Sequence, residues 1–100
     1  MPDVPVQVRH LPDRHRFSAD VGAAEPAVLA YEALDGGTLD LAHTVVPAEA
    51  RGGGVASALV RAAVDHARAN GLKLVPTCPY VAAWLERHPG ERDVFVTAGA

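Results

Sequence analysis

The hydrophobic pattern of this 100-residue chain changes its period near Arg51. Before that point, apolar and polar residues alternate, which is the period-two pattern of half-buried β-strands. After it, apolar residues recur every three to four positions, as on one face of an α-helix. The sequence therefore predicts strands in its first half and helices in its second.

The two strands nearest the N-terminus are predicted from alternation alone. Valines alternate with other residues over 4–8, and apolar residues alternate with polar ones over 16–21. Pro12-Asp13 supplies a turn between them. Both strands should therefore have one buried and one solvated face.

The next two strands are predicted with a hairpin turn between them. Residues 27–34 are apolar on both faces, a pattern compatible with a central strand or a short helix. The glycine pair at 36–37 is typical of a hairpin turn and favours the strand. The fourth strand, 38–46, stops at Pro47 because proline donates no ladder hydrogen bond.

A long amphipathic helix follows the glycines after Arg51, and Asn70-Gly71 ends it with residues that tolerate positive φ. Arg61 and Asp65 are spaced for an ion pair on its polar face. The predicted apolar stripe consists of Ala56, Leu59, Val60, Ala63, Val64 and Ala67.

The last third of the chain adds a short buried strand over 72–75 and a second helix that begins after Cys78 and ends at Pro89-Gly90. Residues 94–96 form a final edge strand or a frayed end. The order is β-β-β-β-α-β-α, with this optional last strand. It predicts an α/β (α+β) fold with a mixed, mostly antiparallel twisted sheet and two main helices.

Composition limits the classes of function. The length and 49% apolar residues fit one domain over 1–100 with one core. A net charge of −3 without basic runs argues against nucleic acid and membrane surfaces as partners. No apolar segment is long enough to span a bilayer or to serve as a signal peptide. The single cysteine excludes an internal disulfide and a cysteine-based zinc cluster. A single cysteine and the lack of a signal peptide predict a cytoplasmic protein. We expect no metal site, because the histidines also lack metal-ligand spacing.

Glycines 52–54 join the fourth strand to the long helix. Glycine at such a junction leaves backbone N–H groups open at the positive end of the helix dipole, which suits a pyrophosphate. A loop that only turns sharply is the alternative. A P-loop is excluded because no lysine follows the glycines, and the dinucleotide fingerprint fails because Ser57 stands where its last glycine would be.

Several motifs then occur in order: HTVVP at 43–47, RGGGVA at 51–56, CPY at 78–80 and RHP at 87–89. With these motifs the chain resembles the small one-domain members of the GCN5-related N-acetyltransferases. The resemblance implies the minimal fold of that family and acetyl-CoA as ligand, with the acyl group directed between the fourth and fifth strands. The coenzyme A residues it implies are Val45 and Val46 along the pantetheine arm and Arg51, Gly52, Gly53, Gly54, Val55 and Ala56 around the pyrophosphate.

Three residues are candidates for catalysis. Cys78 lies just before a helix start, where the dipole favours a thiolate, and the resemblance favours an active-site position over simple packing. It suggests either an acyl-cysteine step or a wall of the acyl pocket. His43 is a candidate base for an amine, or a structural histidine. Tyr80 is a candidate proton donor to the leaving thiolate, or a packing residue.

Two departures from the family pattern favour an alternative. Relatives commonly carry glutamate where this chain has Val45, and the best match to the superfamily's proton-donating tyrosine is Trp84, whose indole is a poor acid. A non-catalytic coenzyme A module or sensor is therefore the second hypothesis, and an interaction domain with an ordinary glycine turn is the third. Arg87 and His88 suit the C-terminal end of a helix, and a contact of these residues with the 3′-phosphate of coenzyme A is the alternative.

The leading hypothesis is transfer of an acetyl group from acetyl-CoA to an unidentified amine on a small molecule or a protein. Full-length acetyltransferases typically place helices between their first two strands, whereas only residues 11–15 are available here. The lack of such helices predicts an open cleft, which would suit a flexible or macromolecular acceptor or completion by another subunit. We expect a monomer or a weak homodimer.

Overall fold

The described residues, 7–51 and 54–96 of a computed structural model, form one five-stranded sheet in the order β1-β2-β3-β4-β5. The first four strands pair antiparallel, and β5 pairs parallel with β4. A parallel pair needs a crossover, which is why a helix separates β4 from β5. The strands are β1 Val8–Leu11, β2 Arg16–Ala19, β3 Ala27–Leu34, β4 Thr38–Val45 and β5 Lys73–Val75.

The described residues also form two α-helices, α1 over Val55–Asn70 and α2 over Pro79–Arg87. Short 3₁₀ segments occupy Pro12–Arg14, Ala48–Ala50 and Pro89–Val94. The predicted order of strands and helices is confirmed, as is the mixed, mostly antiparallel sheet.

The glycine pair forms the expected hairpin. Gly36 and Gly37 have φ angles of 78° and 76°, and two positive φ values match the right-handed twist of the strands they connect. The strand interpretation of residues 27–34 is also correct. β3 is a central strand, hydrogen-bonded to β2 on one side and to β4 on the other.

Some boundaries differ from the prediction. The first strand lies at Val8–Leu11 rather than over 4–8, of which residues 4–6 are outside the described residues. The second ends at Ala19 because the Asp20 carboxylate turns the chain by accepting a hydrogen bond from the N–H of Gly22, at 3.0 Å. Helix α1 begins at Val55, directly after the glycines that were predicted to lead into it.

The chain after α2 was predicted as a strand or a frayed end over 94–96. It forms the 3₁₀ segment Pro89–Val94 and then a single parallel bridge from Phe95 to Leu74 of β5. The N–H of Val96 donates to the carbonyl of Leu74 at 2.8 Å. This bridge covers the outer edge of β5.

The predicted ion pair between Arg61 and Asp65 is wrong. Arg61 instead contacts Glu91 at 3.0 Å, and Arg68 contacts the same carboxylate at 2.7 Å. Glu91 lies in the 3₁₀ segment, which returns to α1 and competes with the local partner. These pairs attach the end of the chain to α1.

One face of the sheet packs against α1, and α2 lies beside α1 in the same buried core. The predicted apolar stripe of α1 is buried, except that Val55 takes the place of Ala56, which is half-buried. The opposite face of the sheet has half-buried or exposed side chains, and we call it the open face. Across β1 to β4 it carries Arg9, Leu11, Arg16, Ser18, Val28, Ala30, His43 and Val45.

None of the helices in the described ranges is long and apolar enough to cross a membrane.

Candidate functional site

A cavity of about 640 Å³ lies where β4 ends and helix α1 begins. Helix α2 supplies its third wall. Gly52 and Gly53 lie outside the described residues. The residues that line the cavity are Thr44, Val45, Val46, Ala50, Arg51, Gly54, Val55, Ala56, Tyr80 and Arg87.

The cavity borders the part of β4 that extends beyond its parallel partner. Pairing between β4 and β5 ends at Asp40 and Val75, whereas β4 continues to Val45. Further along, the N–H of Cys78 donates to the carbonyl of Leu41 at 2.8 Å, after which the chain turns away into α2. The two strands therefore separate at this point, as a cleft between them requires.

A β-bulge in β4 decides which side chains face this cleft. Consecutive residues of β3, Ala30 and Tyr31, pair with His43 and Leu41, so Ala42 is the extra residue. A bulge of one residue reverses the alternation of the side chains after it. As a result Thr44, like its partner Leu29, points toward the helices, while His43 and Val45 lie on the open face.

The cavity is electropositive. Its lining contains Arg51 and Arg87, and no acidic side chain among the described residues, although the whole chain carries a net charge of −3. The N-terminus of the 16-residue helix α1 adds the positive end of its dipole. An anion is therefore favoured here.

Arg87 is a lining residue that the sequence analysis treated mainly as a helix-end cation. Tyr80 and Arg87 are seven positions apart, about two helical turns, so they occupy the same face of α2. That spacing is the signal by which Arg87 could have been placed with Tyr80. Arg51 approaches from the loop, where its Nε donates to the carbonyl of Val46 at 3.1 Å.

Gly54 is the residue before α1 and has a φ of 80°. An added Cβ would meet open space, so the requirement for glycine comes from the left-handed backbone and not from crowding. The conformation aims the first turn of α1 at the cavity.

Cys78 precedes α2 and is only 6% exposed. Its Sγ lies 3.4 Å from the Thr44 hydroxyl. Burial opposes ionisation, but the Thr44 hydroxyl and the N–H groups of Val81, Tyr80 and Thr44 outweigh it, and the pKa of the thiol is lowered. The sulfur thus lies behind the cavity wall that Thr44 forms.

The other two catalytic candidates are placed differently. Tyr80 is half-buried and lines the cavity. His43 is exposed on the open face and lines no part of the cavity, and among the described residues it forms no side-chain hydrogen bond. The structure therefore brings Tyr80, but not His43, to the cavity.

Trp84 is a packing residue. It is 2% exposed, its Nε1 donates to the Ser57 hydroxyl at 3.0 Å, and its ring stacks on His88 with centroids 4.0 Å apart. The Arg61 guanidinium lies 5.1 Å from the indole centroid. The position that matched a proton-donating tyrosine therefore belongs to the contact between α2 and α1.

Comparison with known proteins identifies the fold. A family model described as GCN5-related N-acetyl-transferase matches residues 16–94. The chain belongs to this family. The resemblance predicted from the motifs is thus confirmed.

Similar proteins support the same assignment. The chain is 37% identical to Protein NATD1 of Xenopus tropicalis over 89 residues, covering 88% of this chain and 82% of that one. It is 36% identical to human Protein NATD1 over 86 residues, covering 85% and 76%. The solution NMR structure of a GCN5-like protein from Staphylococcus aureus superposes with a TM-score of 0.67 at 25% identity, covering 96% of this chain and 91% of that one.

Proposed function

We propose that this protein binds acetyl-CoA in the cavity at the end of β4 and transfers the acetyl group to an amine. The observation that carries the proposal is the composition of the cavity wall: two arginines and a helix N-terminus without a described acidic side chain, next to an apolar strand end. Coenzyme A has matching chemistry, since it joins a pyrophosphate and a 3′-phosphate to a long pantetheine arm.

Each part of the cavity suits one part of this ligand. The Gly54 turn and the first N–H groups of α1 would hold the pyrophosphate with Arg51. Val45, 61% exposed, and Val46 would lie along the pantetheine arm. Arg87, on the α2 wall, would contact a second phosphate.

Acetyl-CoA supplies a thioester that an amine can attack directly. In such a transfer the carbon–nitrogen bond forms, the carbon–sulfur bond breaks and the amine gives up a proton. Tyr80, in the cavity, is the group that would protonate the leaving thiolate. His43, on the open face, would take the proton of an amine that approaches from that side.

The variant mechanism uses Cys78. Its sulfur would take the acetyl group first and then pass it to the amine, with the coenzyme leaving as its thiol. The lowered pKa of the thiol favours this chemistry. The 6% exposure of Cys78 means that the Thr44 side chain must yield for the sulfur to reach a ligand.

Calorimetric titration with acetyl-CoA tests the binding site. We expect binding, and we expect Arg87→Ala to weaken it roughly threefold to tenfold, as for one partly exposed charge-assisted hydrogen bond. Arg92→Ala is the matched control, because Arg92 is exposed in the 3₁₀ segment and does not line the cavity. Absence of binding by the folded protein at about hundreds of micromolar refutes the proposal.

A second candidate is a coenzyme A-binding module without turnover, favoured by the packing role of Trp84 and by Val45 on the open face. Incubation with acetyl-CoA and a panel of amines and peptides, followed by mass spectrometry, separates the two. Transfer that Cys78→Ala or His43→Ala abolishes supports the enzyme. Binding without transfer to any acceptor supports the module.

A further inference from the structure

Thr44 is the side chain that connects the cavity to the buried cysteine. It lines the cavity, whereas Cys78 does not, and its Oγ1 lies 3.4 Å from the cysteine Sγ. In the sequence, Thr44 is part of the HTVVP motif at 43–47. In the structure it separates the thiol from any ligand in the cavity.

The bulge at Ala42 creates this contact. Without the extra residue, strict alternation from the buried Leu41 would direct His43 toward the helices and Thr44 toward the open face. With it, Thr44 faces inward, opposite Leu29, and reaches the start of α2. A hydroxyl is thereby delivered to the one position of β4 that borders both the thiol and the cavity.

The surroundings of the sulfur make that hydroxyl important. Helix α2 has no side-chain cap hydrogen bond at its start, although the N–H groups of Tyr80 and Val81 face Cys78. Burial of the thiol disfavours its charged form. Among the described side chains, Thr44 supplies the hydroxyl contact that offsets this penalty.

We propose that Thr44 is a positioning residue, whose hydroxyl holds the Cys78 sulfur directly behind the cavity wall and donates a hydrogen bond to it once the sulfur has lost its proton. The catalytic meaning of this role rests on the proposed function, but the contact itself does not. It is therefore tested without acetyl-CoA.

The single cysteine makes the test direct, because ¹³C labelling of cysteine gives one Cβ resonance per chain whose shift follows thiol ionisation. Thr44→Val keeps the shape and removes the hydroxyl. Loss of a hydrogen bond to a charged group should raise the titration midpoint by about one pH unit, a tenfold smaller thiolate fraction near neutrality. Thr44→Ser should restore the midpoint of the unmodified protein.

Thr38→Val is the matched control, since Thr38 is a half-buried threonine of the same strand that pairs with Lys73, at the other end of β4 from Cys78. Its midpoint should not change. An unchanged midpoint in folded Thr44→Val, or a failure of Thr44→Ser to restore it, overturns the proposal. If Thr44→Val does not fold, Thr44→Ala is compared with Thr44→Ser in the same titration.

A kinetic measurement gives a second readout. The rate of Cys78 alkylation by iodoacetamide at neutral pH should fall about tenfold in Thr44→Val and recover in Thr44→Ser, with Cys78→Ser as the blank. If acetyl-CoA fails to bind while these shifts appear, the proposed function is wrong and the role of Thr44 stands. If acetyl-CoA binds and the shifts are absent, the proposed role of Thr44 is wrong and the proposed binding of acetyl-CoA stands.

Discussion

The contact between Ser57 and Trp84 predicts a measurable coupling between the two helices. The indole Nε1 of Trp84 donates to the Ser57 hydroxyl at 3.0 Å, and Trp84 is 2% exposed. Ser57→Ala removes the acceptor and leaves a buried donor without a partner, which costs about 1–3 kcal/mol. Alanine recovers roughly 0.5 kcal/mol through its higher helix propensity. We therefore expect a net loss of about 0.5–2.5 kcal/mol.

A double-mutant cycle isolates this interaction. In a Trp84→Phe background no indole N–H exists, so Ser57→Ala should be neutral or stabilising by roughly 0.5 kcal/mol. The helix-propensity gain is the same in both backgrounds, so the coupling free energy between the two positions should be about 1–3 kcal/mol, in the range found for residues in contact.

Urea unfolding followed by circular dichroism measures all four proteins, because Trp84 is the only tryptophan and its fluorescence is absent from two of them. Ser18→Ala, on the open face, is the control and should change the free energy of unfolding by less than about 0.5 kcal/mol. If Ser57→Ala costs the same in both backgrounds, the hydrogen bond does not stabilise the protein and the argument fails.

Two further predictions concern the backbone and pH. Gly54→Ala should lower the free energy of unfolding by about 1 kcal/mol in urea titrations, because the φ of Gly54 is 80°. Gly90→Ala is the control and should not lower it, because Gly90 has no positive φ and an added Cβ would meet no atom within 4 Å. Equal effects of the two substitutions would contradict the strain argument. Burial, and then the charge of His66, lower the pKa of His10 in the folded protein. In the unfolded chain a histidine has its ordinary pKa of about 6.5, so below that pH the unfolded chain binds more protons than the folded protein does. Stability should therefore fall as the pH drops through that value, and His10→Gln should flatten the dependence measured by urea midpoints; an unchanged slope would exclude His10 as its source.

Much of the fold follows from local patterns. The alternation over 16–19 and 38–41, the glycine pair at 36–37 and the apolar stripe of α1 each depend on neighbours in sequence, and each is found in the structure. The predicted pair between Arg61 and Asp65 is wrong because the actual partner of Arg61 is not a neighbour in sequence. Its true partner, Glu91, is 30 positions away, and only the packing of the chain end on α1 brings the two together.

The candidate site also combines features set by neighbours in sequence with features set by distant residues. The glycine turn and the valines could be predicted because strand, turn and helix start are contiguous in sequence. Arg87 was undervalued because its place in the cavity depends on how α2 lies against β4. Cys78 precedes α2, as the sequence predicts, but its burial behind Thr44 depends on the contact between β4 and the start of α2.

Residue periodicity and short motifs in the sequence encode the change from strands to helices, the glycine turn before α1 and the family. The tertiary structure alone decided which side chains of β4 meet the cysteine and which meet the solvent. A single bulge residue, Ala42, directs Thr44 inward and His43 outward. That choice is set by the register between β3 and β4, a pairing of distant residues that a local pattern does not specify.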